Sequence, residues 1–143
     1  MKEIMDWKRC EKIFIKKIEV DPDKIASLKE TAEKRTVFIK KQDVTHQNVS
    51  FIVEGYYEVV KELLTALLLQ QGLRSRNHQC LISFFYKEYK EYEAEAHLIA
   101  HMSYLRNRLN YYGEQIEYEF YEKNRKAFEE VITILKDLLK STK

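Results

Sequence analysis

Glycine and proline are scarce, with three Gly and one Pro in 143 residues. Sandwiches and barrels turn often, and tight turns consume Gly, Pro, Asn and Asp. A doubly wound α/β fold needs glycine at its strand–helix turns. Three glycines serve neither architecture well. Gly55, Gly72 and Gly113 are also too isolated for a P-loop or a G-x-G-x-x-G, and G-x-S-x-G is absent. No apolar run approaches the ~20 residues that cross a bilayer. The N-terminal MKEIMDWKRC carries Glu3 and Asp6 where a signal peptide has an apolar stretch. The expectation is a cytoplasmic protein with no membrane association. Cys10 and Cys80 stand alone, with no C-x-x-C, so they read as reduced thiols and not as a zinc site or a disulfide framework. Charge is nearly balanced, 25 Lys and Arg against 23 Asp and Glu, so nucleic-acid binding requires a local basic site.

Hydrophobic residues make up 45% and charged residues 34%, a composition that folds. One domain spans residues 1–143 and should bury about 68–70% of the surface its unfolded chain exposes. The composition suits an all-α fold, an antiparallel up-and-down bundle of about five to six helices. Trp7, Cys10, Phe14 and Ile18 follow helical spacing from Asp6 to Lys17. The β-branched Ile13, Ile15, Ile18 and Val20 favour a short strand there instead. Asp21-Pro22 reads as an N-cap and first helical position, opening a helix to about Lys41. A third helix starts near Thr45–Asn48 with a broad apolar face, and Gly72 stops it. Gly55 lies inside it, as a close approach between helices or as a tolerated weakness. The linker LRSRN leads to Asn77, an N-cap for a fourth helix. A fifth spans about Ala94 to Tyr111 and ends at Gly113, and a sixth runs from about Tyr118 to Lys140.

Glu93, His97 and His101 recur every four residues and share a helix side. Helical di-iron bundles use Glu-x-x-His pairs, but Ala94 and Leu98 occupy the positions three before the two histidines. A solvated helix face is the better reading, and no metal or other cofactor is expected. The run Leu105-Arg-Asn-Arg-Leu-Asn-Tyr-Tyr-Gly113 is more informative. Arg106 and Asn110 share one face, as do Asn107 and Tyr111. Arg beside Asn and a tyrosyl hydroxyl can bind phosphate through charge-assisted hydrogen bonds. The other reading is a helix end whose arginines meet Glu114, Glu117 or Glu119.

The run from Arg106 to Gly113 resembles the Arg-centred motif of the HEPN superfamily (higher eukaryotes and prokaryotes nucleotide-binding domain). Tyr56 to His78, YYEVVKELLTALLLQQGLRSRNH, resembles that family's second bundle helix and the polar linker after it. The resemblance covers roughly Thr45 to Leu139 and points to the small stand-alone archaeal or bacterial members. It implies a helical bundle that homodimerises with the motifs facing a shared cleft. It also implies an RNA or nucleotide ligand, and many members are RNases, including toxins of toxin–antitoxin pairs. Others partner a small nucleotidyltransferase, which gives a non-enzymatic alternative. By resemblance, Arg106, Asn107 and Tyr111 fall on catalytic positions. Arg108, Asn110, Tyr112 and His78 fall beside them as binding residues. The family's motif ends in His, whereas that position here is Tyr111, or Gly113 at the longer spacing. Metal-independent RNA cleavage needs a group that exchanges protons near neutrality, as His does. Tyr, with a pKa near 10, is a poor base. His78 and His101 are the candidates to replace it from other parts of the fold.

Overall fold

The computed structural model describes residues 3–141. Six helices form a bundle around one of them. They are α1 (Trp7–Ile13), α2 (Pro22–Lys40), α3 (Val49–Gln70), α4 (Gln79–Glu88), α5 (Glu93–Tyr112) and α6 (Tyr118–Ser141). Among the described residues no helix is long and apolar enough to cross a membrane. The all-α expectation holds; α2, α5 and α6 begin and end within about two residues of their sequence-read limits, α3 stops before Gly72, and α4 starts just after Asn77.

Local chemistry explains these boundaries. Asp21 caps α2 by accepting from the Lys24 amide at 3.1 Å, with Pro22 in the first turn. Gly72 and Gly113 take positive φ, 73° and 67°, at the ends of α3 and α5, where L-residues are strained. Gly55 is a close approach: a Cβ there would lie 3.0 Å from Ile39 Cδ1 on α2. That resolves its two readings in favour of helix packing.

Helix α3 is the hub. It contacts α2, α4, α5 and α6, and Val53, Val59, Val60, Ala66 and Leu67 along it are wholly buried. Such apolar saturation on several faces is what a central helix needs.

Two features depart from the sequence reading. The first segment is both of its alternatives in succession. Helix α1 stops at Ile13, and Ile15–Lys17 forms a strand, β1. It pairs antiparallel with β2, Leu73–Ser75, which the linker LRSRN supplies; Lys16 faces Arg74. The ladder continues at both ends, with the Ile18 amide donating to Gly72 O at 2.9 Å and the Arg76 amide to Phe14 O at 3.1 Å. Cross-strand pairing brought the β-branched residues their partner, which local spacing could not show.

The second departure is Cys10–Cys80, joined in a disulfide across 70 positions and not present as two reduced thiols. Isolation in sequence hid their adjacency in space. The bond ties α1 to the start of α4 and removes the cysteine argument for a reducing compartment. Met5 covers it, with Sδ 3.4 Å from Cys10 Sγ and 3.7 Å from Cys80 Sγ.

A buried serine fixes the α5–α6 connection. Ser50 Oγ donates to Gln115 Oε1 at 3.0 Å and accepts from the Ile116 amide at 2.8 Å. Ser50 and Ile116 are both buried. Ser50→Ala leaves that amide unpaired, so urea unfolding should show a loss of about 1–3 kcal/mol. An unchanged midpoint would mean the connection finds another partner.

Candidate functional site

The motif helix α5 passes the start of α4 and the end of α1, and a cleft opens between them. Its volume is about 320 Å³. Arg106, Asn107 and Tyr111 line it from α5, beside Arg76 and His78 from the β2–α4 link. Tyr57 of α3 and Phe14 close its sides. Ser103, Arg106 and Asn107 are spaced i, i+3, i+4, which places them on one helix side.

The wall opposite Arg106 is held by short-range bonds. Ser75 Oγ donates to Asn77 O at 2.7 Å and accepts from the Asn77 amide at 3.0 Å. Asn77 Oδ1 accepts from the Gln79 amide at 2.8 Å, so Asn77 does cap α4, from one residue before its N-cap position. The Gln79 side chain then reaches across to α5, donating to the buried Ser103 Oγ at 2.8 Å. Ser103 also hydrogen-bonds the Tyr57 hydroxyl. Burial raises the Tyr57 pKa, opposed by that hydrogen bond and the Arg106 charge, and the phenol stays neutral.

Arg106 is positioned from behind. Its Nη2 donates to Glu58 Oε2 at 3.2 Å and its Nη1 to Asn107 Oδ1 at 3.3 Å. Its guanidinium carbon sits 5.8 Å from the Tyr57 ring centre. Nε is buried without a hydrogen-bond partner. Glu58 is shared, because Lys61 Nζ lies 2.8 Å from Oε1. Burial alone would raise the Glu58 carboxyl. The Lys61 hydrogen bond and the charges of Lys61, Arg106 and Arg35 outweigh it and hold the carboxyl below its ordinary value. One carboxylate therefore orients Arg106 without neutralising the cluster, since Lys61 and Arg76 add positive charge.

His78 is half-exposed by position but electrostatically marked. Burial lowers its pKa, the charges of Lys61 and Arg106 lower it further, and Glu58 opposes them. A neutral imidazole at pH 7 can accept a proton. His78 thus stands in the cleft whose motif lacks a terminal His. His101 does not. It stacks on Phe120 of α6 at 5.1 Å, and burial lowers its pKa.

The remaining sequence-read residues separate from this cleft. Arg108 forms a two-pronged ion pair with Glu114, with Nε donating to Oε1 at 2.7 Å and Nη2 to Oε2. Its guanidinium lies 4.9 Å from the Tyr112 ring centre. This is the helix-end alternative, realised for Arg108 and not for Arg106. Asn110 and Tyr112 are exposed and do not line the cleft. Glu93 faces a different groove, with Trp7 and Lys87, while His97 and His101 line one with Phe120. Among the described residues no group of three His, Cys, Asp or Glu side chains could hold a metal ion.

Sequence reasoning missed Glu58, Arg76, Tyr57 and Ser103. Glu58 had a signal, as one of three acidic residues, with Glu54 and Glu62, on a largely apolar helix, where a charge taken out of water needs a partner. No protein-family model matches the chain, and neither a curated protein nor a solved structure matches it.

Proposed function

We propose that the chain is a HEPN-like homodimer that binds RNA or a nucleotide in the Arg106 cleft. The observation that carries this reading is the convergence of Arg106, Asn107 and Tyr111 with Arg76 and His78 in one cavity. Two arginines beside amides and a phenol supply the donors that phosphate takes. The dimer reading draws on Phe38 and Phe51, 65% and 62% exposed on α2 and α3. They flank a groove of about 530 Å³ that Arg106 lines from its other side. A second copy would cover these rings and bring two Arg106 clefts together.

Arg106→Ala should weaken binding of a short RNA roughly tenfold or more, because losing a charged donor costs about 1.5–3 kcal/mol. Fluorescence anisotropy reads this directly. Its ion pair with Glu58 makes Arg106→Ala costlier to the fold than an exposed change. Arg106→Lys is therefore the control, restoring stability while recovering binding only in part. Tyr111→His should raise RNA cleavage in an Arg106-dependent way, since it returns an imidazole to the motif. Equal binding by wild type and Arg106→Ala, with no cleavage by Tyr111→His, would remove the nucleic-acid reading. Docking onto a protein such as a nucleotidyltransferase would then be left. A monomer by light scattering at tens of micromolar would remove the dimer.

A further inference from the structure

The two-stranded ribbon contains an arrangement that folding alone disfavours. Lys16 and Arg74 are directly paired across β1 and β2, and both are exposed. Like charges placed opposite each other destabilise an antiparallel pair. Among the described residues neither side chain takes part in an ion pair, and the same holds for Lys17 and Arg76. Between Trp7 and Lys17 the only acidic residue is Glu11, and between Gly72 and Gln79 there is none. A chain of net charge +2 has concentrated unpaired cations on one small element.

The ribbon has a definite outer face. Ile15 and Leu73 pack against the core. Alternation along a strand then turns Lys16 and Arg74 outward. Two positions beyond Arg74 the chain reaches Arg76, whose amide extends the ladder to Phe14 O. Arg76 and Phe14 both line the Arg106 cleft. At about 3.3 Å per strand residue, Lys16 and Arg74 stand roughly 7 Å from the cleft's edge. The cationic face and the cleft are continuous.

We propose that the outer face of this ribbon is a track for the phosphates of a single RNA strand, so that the site takes an oligonucleotide and not a free nucleotide. The inference rests on the reading of the Arg106 cleft as the phosphate-binding end. Arg106 and Arg76 hold one phosphate in the cleft, and Arg74 and Lys16 hold those of the flanking nucleotides. The contacts are to backbone charge, so the track carries affinity and not sequence choice.

The test compares a 5′-phosphorylated uridine dinucleotide with a twelve-residue oligouridylate across a salt titration. Wild type should bind the longer strand at least tenfold more tightly. Lys16→Gln with Arg74→Gln should abolish most of that gain. It should also make the log affinity–log salt slope shallower by about 0.7 per cation removed, and leave the dinucleotide unaffected. Lys16→Glu alone separates folding from binding. It creates an opposite-charge cross-strand pair, so its melting temperature should rise while its affinity for the longer strand falls. If the cations only keep the ribbon's edges from pairing with another chain, the double variant binds the longer strand as wild type does, and the track is overturned. In that case an Arg106-dependent dinucleotide still upholds the cleft. Ribbon-dependent binding of the longer strand with no role for Arg106 would uphold the track and sink the cleft. Capture of phosphatidylserine–phosphatidylcholine vesicles through Lys16 and Arg74, with no binding of the longer strand, would overturn the RNA assignment.

Discussion

Reducing the Cys10–Cys80 bond should lower the protein's stability by about 2–4 kcal/mol. The closed loop spans 70 positions, for which the chain-entropy relation gives about 4 kcal/mol, and measured disulfides commonly deliver somewhat less. For a chain of this size the midpoint of thermal unfolding should fall by roughly 10 °C. Both cysteines are fully buried, so reduction needs Met5 to move aside or the fold to open. The effect should therefore develop slowly under dithiothreitol in native buffer and quickly in urea. Cys10→Ser with Cys80→Ser is the matching variant. The loss should extend to the cleft, because Cys80 lies two residues after His78 and Cys10 four before Phe14. Equal urea midpoints with and without reductant, after mass spectrometry has confirmed the bond, would show that α1 contributes little to holding the fold.

Phe128→Ala should cost about 3–5 kcal/mol, the largest loss expected from any single side chain discussed. Phe128 is wholly buried on α6. Its ring centre lies 5.4 Å from Tyr56 of α3 and 5.8 Å from Phe120. Truncation removes the transfer free energy of an aromatic ring and leaves a cavity between two long helices that cannot easily collapse. Phe128→Leu refills much of that space and should cost distinctly less. Tyr56 reports the same region spectroscopically. Burial, with Glu129 and Tyr121 nearby, pushes its phenol up to about 12. In Phe128→Ala water gains access, and its titration should move back toward the ordinary tyrosine value. A loss under about 1 kcal/mol would mean that α6 is held chiefly by its ends.

The helices were legible because their signals are local. Asp21-Pro22, Gly72 and Gly113 specify their boundaries by backbone chemistry confined to a few residues. The long apolar face of α3 announced a buried helix, and its position at the centre follows from that. The ribbon was not legible in full. Ile15 carries a strand preference, but only Ser75, sixty positions later, supplies its cross-strand partner. The disulfide failed for the same reason, since two lone cysteines carry no local mark of proximity. The site shows both cases. Helical spacing groups Asn107 with Tyr111, and the motif resemblance adds Arg106 to them. His78 was named from its linker, and its arrival beside Arg106 depends on how α4 packs against α5. Arg108, two positions further on, is an equally available cation in the same helix end. Only the tertiary positions of Glu58 and Glu114 separate an arginine oriented into a cleft from one satisfied at a helix end.

The Cys10–Cys80 bond also changes the topology of the chain. Residues 10 to 80 become a covalent ring that contains α2, α3 and both strands, and α5 and α6 belong to a tail leaving that ring at Cys80. Arg76 and His78 lie within the ring, whereas Ser103, Arg106, Asn107 and Tyr111 lie on the tail. The cleft is thus the seam where tail closes on ring, held by Gln79 to Ser103 and by Glu58 to Arg106. A motion that lifted α5 would part the two halves of the site and leave every bond within the ring intact.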